Sequence, residues 1–79
     1  MIVTVFEVKT RNADGKRTNV LQRTTEHPTE ESGKAKILDC IKHRLGSYPF
    51  LKYDELNDAY VMENLAGTNS WYLYLDIEN

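Results

Sequence analysis

The sequence predicts an α+β domain of order ββαββ, a four-stranded, largely antiparallel sheet with one helix packed on one face. Three observations predict it. The segment Ser70 to Glu78 alternates apolar and polar residues without a break. Residues 1–10 alternate in the same way and run into a glycine turn. Between them, Ile37, Leu38, Ile41 and Leu45 recur at the spacing of a helix.

In the first strand, Ile2, Thr4, Phe6 and Val8 share one face, and Val3, Val5 and Glu7 the other. Asn12 to Lys16 then fits a type I turn in which Gly15 supplies the positive φ of a following bulge. That geometry sets Val8 opposite Val20, Phe6 opposite Gln22 and Val5 opposite Arg23. A plain two-residue Asp14-Gly15 loop would slip the pairing by one and flip the faces of the second strand.

Helix signals follow His27. Thr29 is the expected N-cap, and Glu30 and Glu31 sit near the positive end of the helix dipole. Lys42, His43 and Arg44 occupy the last turn, and Gly46 is placed to close the helix in a left-handed cap. Gly33 weakens the first half.

Tyr48 to Tyr53 reads as a connector or a short extended piece, because Pro49 argues against a central strand. Asp54 to Asn57 reads as a turn or one helical turn, and Asp58 to Leu65 as the third strand. A loop at Gly67-Thr68, or at Ala66 to Asn69, sets Tyr60 opposite Leu75, Met62 opposite Leu73 and Asn64 opposite Trp71. Tyr60, Met62, Trp71, Leu73, Leu75 and Ile77 then form the buried face. Val61, Glu63, Tyr72, Tyr74 and Asp76 form the other, joined in expectation by Val3 and Val5.

The chain of 79 residues is one small domain, 1–79, with 41% apolar and 28% charged residues, ordinary values for a folded soluble protein. Its one cysteine, Cys40, rules out an intramolecular disulfide. The N-terminal residues do not read as a signal peptide, and no apolar stretch approaches the roughly 20 residues of a membrane span, so a cytoplasmic location is expected. The net charge is −2, unevenly spread. Residues 1–25 hold Lys9, Arg11, Lys16, Arg17 and Arg23 against two carboxylates, whereas residues 47–79 hold Lys52 against six.

No catalytic or metal site is expected, and no cofactor. Cys40 and His43 lie three apart on the helix, where they can touch, but no third orienting group accompanies them and structural zinc needs four ligands. Asp54, Glu55 and Asp58 lack calcium-loop spacing. Gly15-Lys16 and Gly33-Lys34 miss the phosphate-loop pattern.

The expected function is that of a non-enzymatic protein-binding domain. Its contact surface is the helix-free sheet face, with Tyr72, Tyr74 and Val61 rimmed by Glu63, Asp76 and Glu78. Its partner would be a basic protein, including a nucleic-acid-handling complex whose phosphate site the carboxylates imitate. A homodimer through the same face or the strand edges is the alternative. A further alternative is a weak nucleic-acid binder using Lys9, Arg11, Lys16, Arg17 and Arg23; the acidic aromatic face argues against it. In small size and acidic, motif-free character, the whole chain resembles the inhibitors encoded by bacteriophages, such as anti-CRISPR proteins. That resemblance implies an inhibitor acting on a host protein in the host cytoplasm.

Overall fold

A computed structural model describes residues 1–79. The elements are β1 (Ile2–Ala13), β2 (Lys16–His27), α1 (Glu30–Arg44), β3 (Phe50–Asp54), β4 (Ala59–Glu63) and β5 (Asn69–Glu78). The sheet has five strands in the order β2-β1-β5-β4-β3, with every neighbouring pair antiparallel. The expected four-stranded sheet is therefore corrected to five. The added strand is β3 (Phe50–Asp54), in the segment read as a connector or a short extended piece. Pro49 does keep it from the sheet centre: β3 is an edge strand, and the proline stands just outside its ladder.

The β1–β2 turn departs from its expected form. Asp14 (φ 54°) and Gly15 (φ 72°) are both left-handed, the backbone of a two-residue type I′ loop, and Ala13 pairs with Lys16. The ladder then shifts between Lys9 and Thr10, leaving Val20 unpaired as a bulge. Beyond it Val8 faces Gln22, Phe6 faces Thr24 and Val5 faces Thr25. The loop flips the second strand by one residue and the bulge flips it back.

The helix begins as its residues require. Thr29 is extended (φ −134°), and its Oγ1 accepts a hydrogen bond from the Ser32 N–H at 3.1 Å. Its end differs from expectation. Gly46 is not left-handed; the Ser47 and Tyr48 N–H groups instead donate to the Arg44 carbonyl. The buried line is Gly33, Ile37, Cys40 and Ile41, while Leu38 and Leu45, expected in the stripe, are 60% and 42% exposed. Gly33 sets this rotation, because the helix backbone there lies against Val3 and Leu75 with no room for a side chain.

The core lies between α1 and the sheet and comprises Val5, Ile37, Cys40, Ile41, Met62, Trp71 and Leu73. Tyr48 closes one end with its ring edge-on to Trp71, centroids 6.2 Å apart. Glu7 is buried beside these residues, and its Oε1 lies 2.6 Å from Arg44 Nη2 as a charge contact without a directed hydrogen bond. The helix lies over β1, β5 and β2.

In the β4–β5 hairpin Tyr60 pairs with Leu73, Met62 with Trp71 and Glu63 with Ser70. The expected register is displaced by two, which preserves both faces. Asn64 organises the longer loop: its Oδ1 accepts from the Thr68 and Asn69 N–H groups. Asn12 of β1 fastens this loop to the first hairpin, its side chain donating to the Gly67 carbonyl and to Ser70 Oγ.

Candidate functional site

The face of the sheet away from α1 follows from the strand registers. One row across it reads Thr24, Phe6, Tyr74, Ala59 and Asp54. The next reads Gln22, Val8, Tyr72, Val61 and Lys52. On the other side of the first row stand Glu26, Thr4 and Asp76, and beyond them Ile2 and Glu78. Tyr72, Tyr74, Val61, Glu63, Asp76 and Glu78 thus lie on one face, as the alternation of β4 and β5 requires.

Val3 and Val5 do not join them. Both are fully buried under α1. The β1–β5 register sets Phe6 beside Tyr74, so the even-numbered residues of β1 occupy the helix-free face and the odd-numbered ones the core. Glu7 disguises the core set in the sequence, since an ionised side chain among Val3 and Val5 reads as a solvent-facing strand edge. The residue missed was Phe6. Its alternation with Ile2, Thr4 and Val8 was visible, but not the pairing of β1 with β5 that brings it to the site.

Phe6 and Tyr74 stack with centroids 4.9 Å apart and planes within 6°. Both are half-buried. Ala59 fills the position on the other side of Tyr74, so no bulky neighbour stands there. Tyr72 sits deeper. The Arg17 guanidinium lies 5.3 Å from its ring centroid, and its hydroxyl is buried without a hydrogen-bond partner. Val61 is only 2% exposed and serves as a floor. Glu63 is paired with Lys52 at 3.5 Å. Glu26, Asp76 and Glu78 are exposed and have no basic partner. The face therefore has an aromatic centre with three free carboxylates along one side.

The basic residues of the first hairpin are not brought together. Arg17 lies on the helix-free side above Tyr72, Lys16 is at the turn, and Lys9, Arg11 and Arg23 belong to the other side of the sheet. There Lys9 lies beside Trp71 and Arg23 beside Glu7.

Cys40 and His43 also part. Cys40 is 3% exposed, and burial, then the neighbouring Glu7 charge, pushes its thiol above the ordinary value of 9.0. A reactive thiol needs the opposite shift. His43 is exposed, with Nδ1 2.8 Å from the Asp39 carbonyl oxygen and 3.4 Å from the Asp39 carboxylate. No three His, Cys, Asp or Glu side chains converge as metal ligands. Asp54 instead builds the β3–β4 turn: it accepts from the Leu56 and Asn57 N–H groups and from Asn57 Nδ2, and the Asn57 side-chain bond is the main cause holding its carboxyl below the usual value. No helix is long and apolar enough to cross a membrane.

Comparison with protein-family models, curated proteins and solved structures yields no match.

Proposed function

We propose that this chain is a non-enzymatic protein-binding domain whose contact surface is the helix-free sheet face around Phe6 and Tyr74. One observation carries the reading: a stacked aromatic pair on an uncovered sheet, flanked in the next rows by the unpaired carboxylates of Glu26, Asp76 and Glu78. Aromatic rings supply contact area at low entropic cost, and a one-sided row of free carboxylates sets orientation and attracts a basic partner. A nucleic-acid-handling protein presents such a surface, and the carboxylates occupy it as phosphates would. An inhibitor of the kind that bacteriophages encode, acting in the cytoplasm, has this mode of action. The face itself repels nucleic acid, since Arg17 and Lys52 are outnumbered by Glu26, Asp54, Glu63, Asp76 and Glu78.

The test is affinity capture with the wild-type chain and two variants. Asp76→Lys/Glu78→Lys reverses two exposed, unpaired charges and leaves the core alone. Tyr74→Ser removes half of the stacked pair. Tyr72 is avoided because its ring is part of the packing. A partner retained by wild type and lost by both folded variants supports the reading. A captured set unchanged by either variant refutes it.

A further inference from the structure

A second uncovered surface lies on the opposite side of the sheet and stands independently of the Phe6–Tyr74 face. Because α1 sits over β1, β5 and β2, it leaves the helix-side face of β3 and of the near end of β4 bare. The result is a groove of about 520 Å³ beside the first half of α1. Ile37 and Leu38 form one wall, and Tyr53, Tyr60, Leu75 and Ile77 line the floor and far side. Leu38 is 60% exposed, Tyr53 48% and Ile77 39%, so these apolar groups are joined in one concave strip.

The dimensions fit one kind of occupant. From β5 to β3 is two strand spacings, roughly 10 Å, which is about the diameter of a helix with its side chains. A sheet of five strands is too wide for one helix, and a second helix laid parallel to α1 would complete the layer. The charges narrow the choice. Lys34 at the rim is already engaged by Glu30 at 3.2 Å. Asp58 lines the groove without a basic partner. The unneutralised charge at the groove is therefore negative. A second copy of this chain has no helix to spare for it, since its one helix already buries its apolar line against its own sheet.

We infer that this groove receives an amphipathic helix with basic flanks from another protein, its apolar stripe against Leu38, Tyr53 and Ile77 and its cations toward Asp58. This is helix-in-groove recognition, read through anchors at i, i+3, i+4 and i+7.

The test titrates the isotope-labelled full chain with three synthetic peptides of about 18 residues, long enough to hold a helix when docked. One carries Leu at helical spacing among Lys, one the same spacing among Glu, and one alternates Leu and Lys as a strand. The expected result is saturable binding of the helical Leu/Lys peptide, with NMR shifts at Leu38, Tyr53 and Ile77. It should bind about tenfold or more tightly than the Glu peptide, and Leu38→Lys should weaken it by a similar factor. Leu38 is exposed, so that variant keeps the fold, and Tyr53→Ser is the independent check. Four results overturn the inference: no saturable binding, equal binding of the Glu peptide, preference for the alternating peptide at the β3 edge, or shifts confined to Phe6 and Tyr74. Concentration-dependent shifts at the groove without peptide would also overturn it, by making a second copy the occupant. The Phe6–Tyr74 reading is untouched by each of these results except the shifts at its own face, so the two fail separately.

Discussion

Arg44 Nη2 reaches 2.6 Å from Glu7 Oε1 and ties the last turn of α1 to the middle of β1. The same guanidinium lies 4.1 Å from the centroid of the Trp71 indole, and its Nη1 donates to the Cys40 carbonyl. Glu7 has a side chain only 7% exposed and stands between Arg23 of β2 and Leu73 of β5. Its charge is tolerable there because Arg44 covers it.

Removing that cover leaves a buried, uncompensated carboxylate. Arg44→Ala should cost about 2–4 kcal/mol, the lower part of the range for breaking a buried pair, because Arg44 keeps some solvent contact. The double variant Glu7→Leu/Arg44→Met should recover most of that loss. Urea unfolding of the three proteins, read at the midpoint with the slope unchanged, checks both.

Gly33 fixes how closely α1 approaches the sheet. A Cβ there would stand 2.7 Å from Val3 Cγ1 and 3.0 Å from Leu75 Cδ2. Gly33→Ala gains about 1 kcal/mol of helix propensity but should be destabilising overall, by about 1–2 kcal/mol, since Val3, the nearer neighbour, is fully buried and has little room to yield. Trimming Val3 to Ala in the same protein should make the two changes less than additive, which thermal unfolding of the cycle would reveal.

Cys40 gives a pH dependence with a defined sign. Its folded-state pKa is raised above the ordinary 9.0, so the folded protein disfavours the thiolate that the unfolded chain forms. Stability from this group is complete below pH 9.0 and is lost as pH rises beyond it toward the folded value. The decline should be smaller in Cys40→Ala. At neutral pH the thiol should react with a disulfide reagent only as fast as the protein opens, which a stopped-flow comparison with denatured chain measures.

Asp54 has the opposite sign. Its carboxyl is held below the usual 3.8 chiefly by the Asn57 side chain, so its contribution is present above that value and fades as pH falls through the folded pKa. Asp54→Ala should loosen the β3–β4 turn, and amide exchange should speed up across β3 while β1 and β5 stay protected. Uniform exchange across the sheet would show that the turn is not a local lock.

Much of this fold is written in short-range pattern. Thr29 caps the helix as its hydroxyl allows, and the alternation from Trp71 to Ile77 assigns each side chain of β5 to its face. What escaped was set by contacts between distant segments. β3 has too few residues to show a period, and Pro49 speaks only against the sheet centre. Ile37, Leu38, Ile41 and Leu45 suggest one stripe, yet Gly33 rolls the helix so that Cys40 is buried and Leu38 is left beside the groove. Tyr72, Tyr74 and the carboxylates of the candidate site were visible for the same reason as β5. Phe6 was not, because its place beside Tyr74 depends on two strands at opposite ends of the sequence.

The strand order β2-β1-β5-β4-β3 has a kinetic consequence. It is a simple meander, β3 to β4 to β5 to β1 to β2, interrupted once, between β5 and β1. Each hairpin on either side of that interruption closes over a short loop, whereas joining β5 to β1 must bring together residues as far apart as Ile2 and Glu78. That single seam carries most of the loop-closure entropy of the fold. The rate of assembly should therefore be governed by the seam, and substitutions along the β1–β5 ladder should slow folding more than equally costly ones in β2 or β3.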